Sequence, residues 1–393
     1  MKLTNKLIDT VKPSATLSIT TRAKELVAQG VNVVSLGAGE PDFDTPDHIK
    51  EACIKALKAG RTKYAPTVGT PDLRKAIAAK LLRDNGLTYA AEQIIVSCGG
   101  KDALYNLFNC LLEPGDEVLI PSPYWVSYPE FVTLARGTSV FMPTTDETGF
   151  RITPAQLEKA ITPRTRVLVL NTPSNPTGMG YDEAAQKELA VVLRTHPRVV
   201  VVSDEIYEHL TYGGFKHVSF AKLAPDLYER TFTVNAFSKT YSMTGWRLGY
   251  TACPNKEFAL AMGRLQDHST SGPVSFTQDG AVAALNASQD CVEMMRTAFE
   301  ERAKYFVDAL NRIPGVHCLF PQGAFYVFPN LAAWKIPSFE LAKRLLDEAH
   351  VAAIPGGAFG ADDHLRMSFA TSMDNLKQAV GRIKTWAEKN VNH

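Results

Sequence analysis

The chain has 393 residues, of which 45% are hydrophobic and 21% charged, and its formal net charge at pH 7 is +1. This length allows a large core and favours two domains, while the balanced charge argues against binding to nucleic acid or to anionic lipid. No apolar run reaches the length of a membrane span, and the N-terminus lacks the apolar segment and cleavage site of a secretory signal. The six cysteines are scattered without a CxxC pair, so we expect reduced thiols, a cytoplasmic location and no metal site.

The N-terminal part is predicted to form a short arm, helices and a glycine-rich turn. Helices are predicted over residues 18–29, 46–59 and 71–85. The second would have Thr45 as its N-cap and Pro46 at its first position. Before it, residues 33–42 indicate a short strand that runs into Gly37 and Gly39. Glycines allow backbone to approach a ligand closely, so this turn is either a binding segment or a plain loop.

From residue 93 the pattern alternates between a short apolar strand, a turn and a helix. The strands are predicted over residues 93–97, 117–120, 166–170, 199–202, 231–237 and 248–253, with a helix over 102–112. Near-continuous apolar strands separated by helices favour an α/β fold with a mostly parallel sheet covered on both faces.

After about residue 286 the pattern changes to one long helix followed by shorter elements. Strands are predicted over 323–328 and 364–369, and helices over 293–311, 338–349 and 374–390. This succession is typical of a smaller α+β domain, and we expect the N-terminal arm to pack with it.

Polar and aromatic side chains follow the carboxyl ends of the predicted strands. They are Gly100, Lys101, Trp125, Asn175, Asp204, Tyr207, Ser238 and Lys239. In open α/β sheets the ligand binds beyond these ends. A single polar residue there carries little information, but several that converge predict a binding site.

The turn before residue 102 has the features of an anion site. Gly99, Gly100 and Lys101 stand between a strand and a helix, where free backbone N–H groups and the helix dipole attract negative charge. Ser238 supplies a hydroxyl, and Arg247 supplies a guanidinium that can bind phosphate through two bonds. The alternative for the two glycines is an ordinary tight turn.

The remaining strand ends suit a flat heteroaromatic cofactor. Asp204 ends a run of valines, where a carboxylate needs a cation such as a ring nitrogen, unless it caps a helix. Trp125 offers a face for stacking, and Asn175 and Tyr207 offer hydrogen bonds to a phenolic oxygen. Lys239 directly follows a buried strand. It is either a surface lysine in a turn or a residue that forms a covalent bond with a ligand. Together these groups predict pyridoxal phosphate bound to the lysine as a Schiff base.

Motifs along essentially the whole chain resemble the class I and II aminotransferases of the fold-type I pyridoxal-phosphate enzymes. The matching stretches are residues 12–16, 37–46, 63–66, 99–101, 122–129, 171–178, 203–209, 237–239, 243–250 and 365–369. Within this family the chain is similar to the bacterial aspartate aminotransferase subgroup Ib, which includes aspartate/prephenate aminotransferases. The resemblance implies a large domain, residues 48–285, with a mostly parallel seven-stranded sheet. Residues 1–47 and 286–393 would form the smaller α+β domain with the N-terminal arm.

The resemblance also implies roles for individual residues. Lys239 would form the Schiff base and move the proton between the substrate Cα and the cofactor. The cofactor would be held by Gly100, Lys101, Trp125, Asn175, Asp204, Tyr207, Ser238 and Arg247, with Tyr64 reaching in from the partner subunit of a homodimer. Arg366 would bind the substrate α-carboxylate, assisted by Asn175, Trp125 and the Gly39 backbone. The alternative for Arg366, which lies in an apolar strand, is a structural ion pair.

The residue that binds a second substrate carboxylate is left open. Subgroup I-alpha enzymes use an arginine from the partner subunit, and residues 266–273 contain no equivalent. The resemblance to subgroup Ib implies Lys101, Thr16 or Lys12 instead. For Lys12 and Thr16 the alternative is a solvated arm with a helix cap.

The implied reaction is ping-pong transamination of L-aspartate and 2-oxoglutarate to oxaloacetate and L-glutamate, and use of prephenate is left open. The partners would be amino acids and 2-oxo acids, without nucleic acid or membrane. Three alternatives stand beside this reading. They are a broad aromatic or alanine aminotransferase, a C–S lyase or decarboxylase on the same fold, and a non-catalytic regulator, which would carry an added DNA-binding domain.

Overall fold

The computed structural model describes residues 3–13 and 15–391, except the side chains of residues 15–18. Its helices are α1 (Ala15–Ala28), α2 (Asp47–Lys58), α3 (Pro71–Asn85), α4 (Gly100–Leu111), α5 (Ser127–Leu134), α6 (Pro154–Ala160), α7 (Glu183–Arg194), α8 (Phe220–Leu223), α9 (Phe237–Thr240), α10 (Lys256–Asp267), α11 (Ser275–Asn286), α12 (Asp290–Asn311), α13 (Ser338–Ala349) and α14 (Met373–Asn390). The strands are β1 (Val34–Ser35), β2 (Ile94–Ser97), β3 (Glu117–Ser122), β4 (Thr138–Pro143), β5 (Thr165–Asn171), β6 (Val200–Asp204), β7 (Thr231–Ala236), β8 (Gly249–Ala252), β9 (Tyr326–Val327), β10 (Val351–Ala352), β11 (Ile354–Pro355) and β12 (Leu365–Ser368). None of the described helices is both long and apolar enough to cross a bilayer.

A seven-stranded sheet forms the centre of the molecule. Its strand order is β2-β8-β7-β6-β5-β3-β4, and only β8 runs antiparallel to its neighbours. The α/β fold with a mostly parallel seven-stranded sheet is therefore confirmed. Because β5, β6 and β7 are parallel and adjacent, their carboxyl ends open at one edge, where Asn171 lies beside Asp204.

The centre of the sheet is covered on both faces, because β2, β6, β7 and β8 are buried at every position. Successive strand side chains point to opposite faces. Val200 and Val202 pack with α4 residues such as Leu107, whereas Val201 packs with Leu189 and Leu193 of α7. Burial on both faces explains why these strands appear in the sequence as continuous hydrophobic runs.

The pattern of residues did not reveal β4, which lies at the edge of the sheet. Of its six residues only Met142 is buried, and the rest are exposed or half-buried. An edge strand with one covered position lacks the continuous apolar run that marked the central strands. Its place in the sheet follows from parallel pairing with β3.

A second group of elements packs beside the central sheet. It contains the antiparallel sheet β11-β12-β9 and the parallel pair β1-β10, with α12, α13 and α14 around a core that includes Phe299, Phe325, Leu345 and Trp386. Val34 of β1 pairs with Val351 of β10, which brings the N-terminal segment to this group. The pairing supports the proposed division at residues 47/48 and 285/286, which stays a prediction.

Several predicted element ends were wrong, and two of them affect the site. Thr45 does not cap α2, because its hydroxyl oxygen accepts from Trp246 Nε1 at 3.0 Å and its proton is donated to the Ser242 carbonyl oxygen at 2.7 Å. The helix begins at Asp47. The helix predicted from residue 102 begins at Gly100 instead. The strands predicted over 323–328 and 364–369 are shorter, Tyr326–Val327 and Leu365–Ser368.

Candidate active site

The first turn of α4 forms the floor of the cleft at the sheet edge. A Cβ on Gly249 would lie 2.4 Å from the Gly100 nitrogen, so β8 packs directly against the helix start. A Cβ on Gly99 would lie 2.5 Å from Nη2 of Arg247, which places the guanidinium over the same turn. The first N–H groups of a helix have no partner within it. This turn with Arg247 is therefore suited to an anion such as phosphate.

Lys101 and Trp125 lie side by side next to this turn. The Nζ of Lys101 is 5.2 Å from the centroid of the Trp125 ring. Partial desolvation, together with the charge of Arg247, lowers the pKa of Lys101. Two cations close together favour a ligand that carries more than one negative charge.

Lys239 projects from the one-turn helix α9, directly after β7. Its Nζ donates to the Gly39 carbonyl oxygen, and it lies 5.7 Å from the centroid of the Phe325 ring. Desolvation lowers the pKa of Lys239 to about 8, helped by the charges of Arg366, Arg247 and Lys101 and opposed by Glu40. An amine with this pKa is partly neutral near physiological pH, as a nucleophile or base requires.

Asp204 ends β6 with its carboxylate buried. Its Oδ2 accepts a hydrogen bond from the Tyr128 hydroxyl at 2.6 Å, and its Oδ1 accepts one from the Ile206 N–H at 3.3 Å. Burial raises the pKa of Asp204 to about 6. Turns rather than a helix follow it, so it is not an N-cap. In the described part of the chain no basic side chain forms an ion pair with Asp204, which leaves it suited to a cationic ligand atom.

Arg366 lies in β12 and is 2% exposed. Its guanidinium lies 4.5 Å from the ring centroid of Tyr326 and 5.2 Å from that of Phe359. Nη1 donates to Asn175 Oδ1 at 3.1 Å and Nη2 to the Gly37 carbonyl oxygen at 2.9 Å, while Nε has no partner among the residues described. No carboxylate within the described residues pairs with it, so the structural ion pair is not found. A buried guanidinium held only by neutral acceptors is suited to an incoming carboxylate.

Two tyrosines at the site were not predicted from the sequence. Tyr128 donates to Asp204 and packs edge to face on Trp125, with ring centroids 5.2 Å apart. Tyr326 lies 3.2 Å from the Tyr207 hydroxyl, oxygen to oxygen. Helical spacing gave no signal for Tyr128, because Trp125 precedes α5, which begins at Ser127. Tyr326 gave none, because it looked like one more apolar strand residue.

Some predicted residues lie apart from this group. The Tyr64 side chain is 98% exposed. Lys12 is also exposed, and its backbone N–H donates to Glu130 Oε2 at 3.1 Å. The side chain of Thr16 lies outside the described residues. Ser238, in contrast, lies with the group, because it is buried in α9 beside Lys239.

Comparison with known proteins decides the family of this chain. The model of the family "Aminotransferase class I and II" matches residues 31–383. The chain belongs to the class I and II aminotransferases.

Relatives of this aminotransferase match it over nearly its whole length. It is 52% identical over 394 aligned residues to an aspartate aminotransferase of Geobacillus stearothermophilus, covering 99% of each chain. An aspartate/prephenate aminotransferase of Nitrosomonas europaea is 46% identical, covering 98% of this chain and 99% of its own. A solved structure of Thermus thermophilus aspartate aminotransferase with maleate superposes with a TM-score of 0.94 at 45% identity, covering 98% of this chain and 100% of its own.

Aminotransferases of this family depend on pyridoxal phosphate, and the described site fits that cofactor. The start of α4 with Arg247 suits the phosphate, and the unpaired carboxylate of Asp204 suits the protonated ring nitrogen. Trp125 offers a ring face, and Lys239 offers an amine of lowered pKa. The assignment of each residue to a part of the cofactor stays a prediction.

Proposed function

We propose that this aminotransferase transfers the amino group of L-aspartate to 2-oxoglutarate, giving oxaloacetate and L-glutamate in two half-reactions. One observation carries the proposal: the buried guanidinium of Arg366 has no carboxylate partner among the described residues and is close enough to Lys239 to lower the pKa of that amine. This arrangement supports a site in which an α-carboxylate is bound next to a reactive amine. Both half-reactions use the same site, so ping-pong kinetics are expected.

Different residues of the chain would have different roles in the reaction. When bound, pyridoxal phosphate supplies an electron sink that stabilises negative charge at the substrate Cα. Lys239 Nζ would hold the cofactor, and would then take the proton from the substrate Cα and deliver it to the cofactor. Asp204 would keep the ring nitrogen protonated, and Asn175 and Tyr207 would bind the ring oxygen. The phosphate would be bound by Gly100, Lys101, Ser238 and Arg247, with Trp125 stacked on the ring.

Two cations at separate places support a dicarboxylic substrate. Arg366 would bind the α-carboxylate, assisted by Asn175 and the Gly39 backbone. Lys101 is a candidate for the second carboxylate because its Nζ lies beside the Trp125 ring, with Lys12 and Thr16 as the other candidates. The structure of the Thermus thermophilus relative contains maleate, a four-carbon dicarboxylate, which supports the choice of aspartate.

Prephenate is proposed as a second substrate. The Nitrosomonas europaea relative is an aspartate/prephenate aminotransferase. Because its side chain is flexible, a lysine can also move to bind the carboxylate of a bulkier acid more readily than the fixed guanidinium of an arginine can. A panel that includes phenylalanine and alanine separates this proposal from a broad aromatic or alanine aminotransferase.

We further propose a cytoplasmic homodimer with sites shared between subunits. Tyr64 is 98% exposed and therefore accessible to a second chain. Apolar side chains that are also exposed include Ile54, Leu57, Leu260 and Val274. All six cysteines are unpaired thiols, which supports a reducing compartment.

The test is a panel of kcat/KM values for aspartate, glutamate, alanine, phenylalanine and prephenate. Lys239→Ala should abolish transamination, and wild-type turnover should require a keto acid, unlike that of a lyase. Lys101→Ala should lower kcat/KM for aspartate by roughly 10- to 100-fold but change that for alanine little, because a charge-assisted hydrogen bond is lost. Equal losses for both substrates would show that Lys101 serves only the phosphate. Lys12→Ala, measured in parallel, tests the arm residue in the same role.

A further inference from the structure

Tyr326 lies between two groups to which the proposed function gives different tasks. It is fully buried in β9, where it pairs with Ser368 of β12, two residues after Arg366. Its ring faces the Arg366 guanidinium at 4.5 Å, and its hydroxyl oxygen lies 3.2 Å from that of Tyr207. One side chain therefore contacts both the proposed carboxylate site and the proposed ring-oxygen site.

The two hydroxyls share one hydrogen bond, and only one of them can donate it. Within the described residues neither hydroxyl has a second hydrogen-bond partner. If Tyr207 donated, its proton would point away from any ligand. If Tyr326 donates, the Tyr207 proton is free for an acceptor in the cleft, and the bond it then makes is strengthened by the bond it receives.

The surroundings of Tyr326 keep this geometry fixed. Phe325 packs on Tyr326 with ring centroids 4.8 Å apart, and the Tyr207 ring stands edge to face at 6.0 Å. A Cβ on Gly39 would lie 3.4 Å from the Tyr326 hydroxyl, so the glycine turn also borders it. These contacts leave the hydroxyl little freedom to turn away from Tyr207.

We propose that Tyr326 is a positioning residue with two functions. Its hydroxyl donates to the Tyr207 hydroxyl, so that the Tyr207 proton points to the ring oxygen of the cofactor. Its ring fixes the plane of the Arg366 guanidinium. The proposal rests on the proposed function for the roles of Tyr207 and Arg366. It connects the α-carboxylate site to the cofactor ring through a single side chain.

The hydroxyl is tested by spectroscopic pH titration of the holoenzyme, read as the midpoint of the absorbance change of the bound cofactor. Tyr207→Phe should shift the midpoint, and Tyr326→Phe should shift it in the same direction by less, roughly 0.3 pH unit. Because Tyr326 acts through Tyr207, adding Tyr326→Phe to Tyr207→Phe should cause no further shift. Additive shifts, or no shift from Tyr326→Phe alone, overturn the proposal.

Tyr212→Phe is the matched control. Tyr212 is also buried and donates its hydroxyl to a neutral acceptor, the Ala324 carbonyl oxygen. Tyr212→Phe should lower the stability about as much as Tyr326→Phe does, without moving the absorbance midpoint. A shift as large as that of Tyr326→Phe would show that the Tyr326→Phe shift is only structural, and would overturn the proposal. The midpoint reports the ionisation of the bound cofactor rather than turnover. A shifted midpoint in an enzyme that does not use aspartate therefore overturns the proposed function only.

The ring is tested by the binding of maleate to the holoenzyme. Tyr326→Phe keeps the ring and should leave the maleate Kd within about twofold, while Tyr326→Leu should raise it about fivefold or more, as for a lost cation–π contact. An unchanged maleate Kd in Tyr326→Leu would refute the proposal that the Tyr326 ring fixes the Arg366 guanidinium.

Discussion

At the scale of single residues, the site is defined by ionisable groups that lack ordinary partners. In the part of the chain that the structure describes, Arg366 is bound by neutral acceptors alone, and Asp204 by a hydroxyl and an N–H group. Lys239 donates to a backbone carbonyl oxygen. Charged groups without counterions cost stability in a folded protein. Their retention is explained if substrate and cofactor supply the missing charges.

The pKa of Lys239 leads to a prediction for the apoenzyme. The neutral amine is the form that reacts, and its fraction rises as pH passes the pKa of about 8. The rate at which apoenzyme captures pyridoxal phosphate, measured by stopped-flow absorbance, should therefore rise from pH 6, reach half its maximum near the pKa of about 8 and level off roughly one pH unit higher. Glu40 raises this pKa, so Glu40→Gln should move the midpoint to lower pH. A rate that does not vary over this range would contradict the lowered pKa.

At the scale of elements, the segment at the end of β6, residues 204–208, has two different sides. Asp204 and Tyr207 lie at the candidate site, whereas Glu205 and Glu208 belong to a buried polar network. Glu208 accepts hydrogen bonds from Lys80 of α3 and from Asn235 of β7. Glu205 accepts one from Ser219 at 2.6 Å. These bonds connect the segment to α3, to β7 and to the residue before α8, and they hold Asp204 and Tyr207 in place.

Breaking this network should be costly. Lys80→Met removes the cation from a pair whose side chains are 3% and 4% exposed, leaving the charge of Glu208 without its main partner. We expect the free energy of unfolding to fall by about 3–5 kcal/mol, measured by urea denaturation. Lys187→Met is the control, because its pair with Glu183 is more than half exposed and should contribute at most about 1 kcal/mol. Equal losses in the two variants would show that burial does not set the strength of the Lys80 pair.

At the scale of the whole molecule, the site lies where separate parts of the chain meet. Lys239 follows a strand of the central sheet, Arg366 lies in the small antiparallel sheet, and both donate to carbonyl oxygens of the glycine turn, Gly39 and Gly37. The turn thus links the two cations. Its own position is held by an ion pair between Asp42 and Arg302 of α12 at 2.7 Å.

The shared site of the proposed homodimer can be tested by complementation. Light scattering should give twice the 43.1 kDa of one chain. Alone, Tyr64→Ala should be weak and Lys239→Ala inactive. If Tyr64 serves the partner's site, co-expression should restore activity, because each heterodimer then has one intact site. If Tyr64 serves its own chain, no heterodimer has an intact site and activity stays low.

The sequence supported the prediction of the central strands and of the residues at their ends, because burial on both faces requires continuous apolar runs. It did not reveal the edge strand β4, whose residues are mostly exposed. It misplaced the start of α4, because a glycine at a helix start resembles a loop. The N-cap assigned to Thr45 was wrong because a tertiary contact took the hydroxyl.

By itself the sequence determined the α/β class and the order of the strand ends. It also predicted the set Lys239, Asp204, Asn175 and Arg247, because each stands at a recognisable local pattern. Only the tertiary structure decided that Arg366 has no carboxylate partner over residues 3–13 and 19–391, and that Tyr128 and Tyr326 contact the site. These contacts join residues far apart in the chain. Local periodicity reports which face of an element is buried, but not which side chain from another element lies against it.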